Sequence, residues 1–341
     1  MLRLPKFALA RPTTVAQAIA LLEEAGPSAR VIAGGTDLVP NMKHEIETPA
    51  LVVSLGEIAE LRGLRREQDG ALVIGAMTSL ADVAAHELVL AQAPALAQAC
   101  SLVAGPQLRT MGTLGGNVML DTRCQWINQS YFWRAALGFC LKKDGSVCHV
   151  VAGGKNCVAA ASNDSAPALM TLGASLEIEG PAGRRSVAID DFWLGDGIRN
   201  KVLGASEIVA RIRVPATPRG HRGAYGKLRD RGSIGFPLLG VAVRLDVDAA
   251  NAIQHADVVV TALAAQPKRV AKVIDLLRGL APDSPRFAEA AVEVAALAHK
   301  QCRPLANIPG DADYRREMVP VYVKRTLLAA ANGCGPVHHP S

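Results

Sequence analysis

Two glycine pairs, each placed just behind a short apolar run, constrain this chain more than anything else in it. Arg30-Val31-Ile32-Ala33 reads as a strand that breaks at Gly34-Gly35-Thr36-Asp37-Leu38, and about 80 residues later Thr113-Leu114-Gly115-Gly116-Asn117 offers the same chemistry. Glycine lets backbone amides approach an anion closely, while Thr36, Asp37, Thr113 and Asn117 bring side-chain hydrogen-bonding groups. Either sequence alone is an ordinary tight turn. Together, at the ends of apolar strands, they suit the opposite sides of one extended, pyrophosphate-bearing molecule. Neither is the G-x-G-x-x-G of a doubly wound dinucleotide fold or the G-x-x-x-x-G-K of a P-loop, so both standard nucleotide-binding frameworks are excluded.

Around these turns Val15, Ala18, Ile19 and Leu22 recur at helical spacing, Thr14 and Gln17 supply a capping box, and Gly26-Pro27 a stop. Residues 13–25 therefore form a first helix. Residues 51–55 and 72–76 are strands, Ser79 caps a helix to residue 86, and residues 91–103 form an alanine-rich helix. Residues 166–172 are helical, 175–179, 185–189 and 207–214 are strands, and the turn 215–218 marks a domain boundary. Beyond it 224–228, 238–247 and 257–263 read as strands, and 268–280, 284–299 and 314–332 as helices, the last closed by Gly333. The expected division is residues 1–218, a C-terminal α+β domain over 219–333, and a frayed tail over 334–341.

With 50% hydrophobic and 20% charged residues in 341, the chain has ample material for a core and enough length for two or three domains. It has no window apolar enough to span a membrane, and Arg3, Pro5 and Lys6 interrupt any secretory segment at its start, so a cytoplasmic protein is expected. The net charge of +6 is scattered, which argues against nucleic acid as a partner. Seven cysteines in a reducing compartment point to metal or redox ligation instead of disulfides.

Four of those seven, Cys124, Cys140, Cys148 and Cys157, crowd into residues 121–160, a stretch with neither helical nor strand periodicity. Their spacing matches no short ferredoxin pattern, so it admits a four-thiolate iron–sulfur cluster, a structural zinc or unligated buried thiols. Trp126, Tyr131, Phe132, Trp133 and Phe139 lie among them, and a cluster needs an apolar shell, though a zinc site is walled as well. His149 suits either a donor to a cluster sulfur or a surface histidine. Cys100 and Cys302 read as structural residues, and Cys334, His338 and His339 as parts of the tail.

The two glycine motifs, in this order and at this distance, resemble those of the FAD-binding subunits of the molybdenum hydroxylase family, which includes carbon monoxide and xanthine dehydrogenases. The segment from Ser162-Asn163-Asp164 to Leu169 is similar to the family's next motif, and Tyr225-Gly226-Lys227 with Arg231-Gly232-Ser233 to the start of its C-terminal domain. The resemblance covers nearly the whole chain. It implies an α+β fold, with a two-lobed non-Rossmann FAD-binding domain followed by a domain of a sheet with helices. It further implies that Val31, Ile32, Ala33, Gly34, Gly35, Thr36, Asp37 and Leu38 wrap the FAD pyrophosphate. Val103, Gly112, Thr113, Gly116 and Asn117 would line the flavin and its ribityl chain, Asp164 would hydrogen-bond the cofactor while also suiting a helix cap, and Lys227 would neighbour the flavin.

Within the family, a cysteine-bearing insertion between the second glycine motif and the Ser-x-Asp segment resembles one branch, the flavoprotein subunits of 4-hydroxybenzoyl-CoA reductases. Arg123-Cys124, Asn128-Gln129-Ser130, Trp133-Arg134, Cys140-x-Lys142 and Cys148-His149 carry that likeness. It implies a 4Fe-4S cluster on Cys124, Cys140, Cys148 and Cys157, and a ferredoxin as electron donor. The partners it implies are a large molybdopterin subunit and a small subunit with two 2Fe-2S clusters, in a dimer of heterotrimers, with no residue of this chain touching substrate. A flavin exchanges single electrons, which suits a neighbouring cluster and leaves zinc no redox task. Arg123, Arg134, Lys142, Lys143 and Lys155, opposed by Asp144 alone, are then expected to form a cationic docking face for the ferredoxin. The alternatives are the FAD subunit of an oxidising hydroxylase, which normally lacks the four cysteines, and a zinc-stapled assembly subunit.

Overall fold

The computed structural model describes residues 2–338, and among these the strands form three sheets. β1 (Ala8–Ala10), β2 (Ala29–Ile32) and β3 (Leu51–Ser54) run parallel with β3 in the middle. Parallel strands need crossovers, and α1 (Val15–Ala25) carries the chain from β1 to β2 on the other side of β3. Its start is the one the sequence predicts: Thr14 Oγ1 accepts the Gln17 N–H at 3.2 Å, and Gln17 Oε1 accepts the Thr13 N–H at 2.9 Å. Val15, Ala18, Ile19 and Leu22 fill the space against the sheet. β2 hands the chain to the first glycine pair, which leads into α2 (Leu38–Lys43).

The second sheet holds β4 (Leu64–Arg66), β5 (Leu72–Gly75), β6 (Ser175–Gly180), β7 (Gly183–Ala188) and β8 (Ile208–Val214), antiparallel in the order β4-β5-β8-β6-β7. Seven short helices lie between β5 and β6: α3 (Leu80–Ala85), α4 (Glu87–Gln92), α5 (Pro94–Ser101), α6 (Pro106–Met111), α7 (Leu114–Val118), α8 (Tyr131–Ala136) and α9 (Ser165–Thr171). The single helix expected over 91–103 is divided, because Pro94 has no N–H to continue α4 and instead begins α5. The second glycine motif is not a turn but the start of α7, with Thr113 Oγ1 accepting the Gly116 N–H at 3.0 Å.

The third sheet is formed by β9 (His221–Leu228), β10 (Leu239–Val247), β11 (Ile253–Thr261), β12 (Lys268–Arg269) and β13 (Val337–His338) in the order β12-β11-β10-β9-β13. It is buried on both faces. Tyr225, Ala242 and Val259 join the core around α5 and α9, while Ala224, Val241, Val243, Val258 and Val260 face α11 (Pro285–Gln301) and α12 (Ala312–Asn332), as the two-residue period of a strand requires. The helix expected over 268–280 contracts to α10 (Val273–Leu277), because Lys268 and Arg269 pair with Val260 and Val259 at the sheet edge. The tail is also more ordered than expected: β13 runs parallel to β9. His339 lies outside the described residues. Among those residues no helix is long and apolar enough to cross a membrane. The fold is α+β.

Candidate functional site

The first glycine motif meets the backbone of the chain just ahead of the second. Gly34 lies so close to Met111, at the end of α6, that a Cβ would collide with the Met111 carbonyl, and Gly115 is pressed on Ala76, where a Cβ would lie 2.6 Å from the alanine methyl. Gly35 has φ +72°, which glycine adopts without strain. Among the described residues, the backbone N–H groups of Gly34, Gly35, Thr36 and Asp37 donate to no protein acceptor, and such a run of free donors is an anion cradle.

A cavity of about 650 Å³ opens between these segments, within the size range of cofactor sites. Val31, Ala33, Gly34, Gly35, Thr36, Asp37 and Leu38 line one side, and Val103, Gly112, Thr113, Gly116 and Asn117 another. Asn117 is oriented from behind by α9, its Oδ1 accepting the Ser165 N–H at 3.0 Å and hydroxyl at 2.6 Å. Asp164 closes the inner end. It stands at the N-cap of α9 without capping it: Oδ1 accepts the Tyr225 hydroxyl at 2.8 Å and Oδ2 the Lys227 ammonium at 3.0 Å. Burial pushes the Asp164 carboxyl up and the Lys227 ammonium down, and each partner opposes the other's shift.

Residues 121–160 leave this cavity through a neck in which Arg123 and Ala160 exchange two backbone hydrogen bonds of 2.7 Å. The Arg123 guanidinium pairs with Asp37 and lies 4.3 Å from the centre of the Phe236 ring. Arg134, 1% exposed, donates to the His44 and Glu45 carbonyls just past α2, at 3.1 and 3.0 Å, and to Gln129 at 3.3 Å. Held this way, the segment brings Cys124, Cys140, Cys148 and Cys157 to the wall of one small pocket, with Trp126, Ile127, Val150, Val158 and Ala159. The backbone N–H groups of Trp126 and Ala159 favour the thiolate forms of Cys124 and Cys157. Burial pushes the Cys124 thiol up to about 11 and that of Cys157 up as well, the second opposed by the Ala159 N–H and the Lys142 ammonium. Among the described residues, no three His, Cys, Asp or Glu side chains converge closely enough to bind one metal ion.

Residues 5–217 match the family model described as the FAD binding domain in molybdopterin dehydrogenase, and residues 224–330 match the CO dehydrogenase flavoprotein C-terminal domain. The chain belongs to the FAD-binding subunits of the molybdenum hydroxylase family. It is 33% identical over 331 residues to the carbon monoxide dehydrogenase medium chain of Hydrogenophaga pseudoflava, covering 97% of this chain and 99% of that one. It is 34% identical over 256 residues to the aldehyde oxidoreductase FAD-binding subunit of Escherichia coli K12, covering 72% and 80%. The structure of the Hydrogenophaga pseudoflava carbon monoxide dehydrogenase superposes with a TM-score of 0.79 at 31% identity, covering 98% of this chain and 100% of that one.

For a FAD-binding subunit the cavity has the right donors: free amides for a pyrophosphate, glycines at the points of closest approach and apolar walls. Two expected cofactor residues do not face it. The Ile32 side chain packs on Gly35 instead, and Lys227 is wholly buried behind Asp164, its ammonium also held by the Leu102 carbonyl at 3.0 Å. Only part of the expected cationic docking face reaches solvent: Lys155 is exposed and Lys143 half-buried, while the other three basic residues are turned inward. Arg134 is buried, Arg123 is paired with Asp37, and the Lys142 side chain is 9% exposed and bound on three sides. Of the five aromatics, only Trp126 lines the cysteine pocket, whereas Phe132 is 83% exposed. His149 braces the loop, its Nε2 2.6 Å from the Phe139 carbonyl. Residues that sequence reasoning passed over also line the cavity, among them Ile234, Gly235 and Phe236, which follow the Arg231-Gly232-Ser233 motif.

Lys201 flanks the insertion, and burial pulls its ammonium down to about 8, with Asp121 opposing and Lys142 adding to the shift. The unfolded chain holds this proton to about 10.5, so the charge costs stability at low pH and the cost fades as pH rises from about 8 to 10.5. Lys201→Met is therefore expected to be more stable than the native chain at neutral pH, with the advantage shrinking above pH 8. Urea midpoints at pH 7 and 9.5 check this, and a difference independent of pH would count against it.

Proposed function

We propose that this chain is the electron-carrying subunit of a reductase that removes the phenolic hydroxyl of 4-hydroxybenzoyl-CoA, consuming two electrons and two protons and releasing benzoyl-CoA and water. By this reading the four cysteines would hold a 4Fe-4S cluster that exchanges single electrons with a ferredoxin and the glycine motifs would hold FAD, while 2Fe-2S clusters and a molybdopterin would lie on small and large partner subunits, in a dimer of heterotrimers in the cytoplasm. The observation that carries this reading is the convergence of Cys124, Cys140, Cys148 and Cys157 on one apolar pocket adjoining the cofactor cavity. Four thiols in an apolar pocket, with backbone N–H groups that favour the thiolate at two of them, suit an iron–sulfur cluster, whose potential depends on hydrogen bonding and burial. A single zinc would have no redox task beside a flavin, whereas a four-iron cluster exchanges single electrons with it.

When bound, FAD supplies the exchange between one-electron and two-electron chemistry. The chain's own groups bind and orient it. The amides of Gly34 to Asp37 would hold the pyrophosphate, and Val103, Gly112, Thr113, Gly116 and Asn117 the flavin end. Asp164, fixed by Tyr225 and Lys227, presents a carboxyl oxygen at the inner wall.

A second reading has its own support. The relatives described above are subunits of a carbon monoxide dehydrogenase and an aldehyde oxidoreductase, which favours an oxidising hydroxylase with electrons flowing outward through FAD. Iron, sulfide and flavin analysis of anaerobically purified protein separates the two, with electron paramagnetic resonance before and after dithionite. About four iron and four sulfide per FAD are expected, with the reduced-cluster signal lost in Cys140→Ser. FAD without iron or sulfide would favour the oxidising hydroxylase.

A further inference from the structure

The cofactor cavity and the four-cysteine pocket share two lining residues, Ile127 and Lys142, and of these only Lys142 carries a charge. Its ammonium is fixed in place. Nζ donates to the Gly197 carbonyl at 2.6 Å and to Thr122 Oγ1 at 2.7 Å, and pairs with Asp121 Oδ2 at 2.9 Å. Gly197 abuts Cys157: a Cβ there would lie 2.6 Å from the Cys157 sulfur, and its N–H donates to the Cys157 carbonyl at 2.9 Å. Lys142 thus borders both the cysteine pocket, two residues after Cys140 and hydrogen-bonded to Gly197, and the cofactor cavity.

A charge held at three points need not reorganise when an electron arrives nearby, and its field is stronger in a partly desolvated site than in water. Resting on the reading of the two cavities as FAD and cluster sites, we propose that Lys142 is the shared electrostatic stabiliser of both redox centres. Each centre gains one unit of negative charge when it takes one electron from an external reductant, and the fixed ammonium favours that state in both. No bond is made or broken at Lys142 and its proton stays in place. Asp121 tempers the effect by neutralising part of the field.

The test is a redox titration of the whole chain after anoxic reconstitution, with dithionite as reductant. Electron paramagnetic resonance follows the cluster and visible absorbance the flavin. Lys142→Met is expected to lower both midpoint potentials with iron, sulfide and FAD content unchanged. Asp121→Asn, which leaves the ammonium and removes its counter-charge, is expected to raise both, by less because Asp121 is 48% exposed. Shifts of opposite sign are not what a general loosening of the loop would give. Unchanged potentials in a fully loaded Lys142→Met protein would overturn the proposal. Should that variant lose its cluster, Asp121→Asn decides, and an unchanged or lowered potential there overturns it. Native protein that takes up no iron would remove the cysteine-site reading and this inference with it, whereas iron-replete protein with unmoved potentials removes the inference alone.

Discussion

Gly34→Ala is expected to yield a folded chain that loses FAD on gel filtration, with affinity weakened at least about tenfold, equivalent to about 1.4 kcal/mol. The cause is local and severe. The added methyl would meet the backbone of Met111 and Gly112, not a side chain that could rotate away, and overpacking of this kind costs about 1–3 kcal/mol. The strain separates the two segments whose contact shapes the cavity. Gly232→Ala is the matched control, because a Cβ there has nothing within 4 Å, and it is expected to keep its FAD. Flavin retained at native stoichiometry in Gly34→Ala would show that the two segments can part without loss of the cofactor.

The second large effect is on stability. Arg315 is fully buried at the start of α12, where its guanidinium donates to the Leu238, Leu305 and Ala262 carbonyls at 3.1, 2.8 and 2.5 Å. Burial pulls its pKa down to about 10, so it remains charged at neutral pH. Arg315→Met leaves three buried acceptors unpaired at about 1–3 kcal/mol each, so a loss of at least about 3 kcal/mol and a Tm lower by about 4 °C are expected. Urea and thermal unfolding measure both. A loss under 1 kcal/mol would mean that water replaces the guanidinium at those carbonyls.

Much of the fold is legible because its signals are local. Thr14, Ser79 and Ser284 each cap the helix that their sequence context predicts, and the alternation through Val241, Ala242 and Val243 announces a strand buried on both faces. β12 and β13 are not legible, since two-residue edge strands are set by the neighbour they pair with and not by their own pattern. α7 is hidden for the opposite reason. Gly115 and Gly116 are poor helix formers, and it is the Thr113 cap and close packing on Ala76 that hold them in a helix.

The same division runs through the site. The first glycine loop is readable because a strand, a turn and its free amides are consecutive in the chain. The fate of the basic residues is not, because counting charges assumes that they face water. Arg134 instead lies within 6 Å of the Tyr131 and Phe139 rings and points back to α2, and Lys142 finds its partners about 20 and 55 residues away.

The insertion grips α2 at both ends, through Arg123 on Asp37 before its first turn and Arg134 on the His44 and Glu45 carbonyls after its last. That changes what its evolutionary history permits. A lineage that discarded residues 121–160 would not return to a plain flavin subunit by deletion alone, because Asp37 would lose its counter-charge and two carbonyls their donor in the helix that borders the cofactor. Loss of the loop would have to be accompanied by compensating substitutions at Asp37 and around His44 and Glu45, and those positions are where a descendant without the cysteines would carry the trace of having once had them.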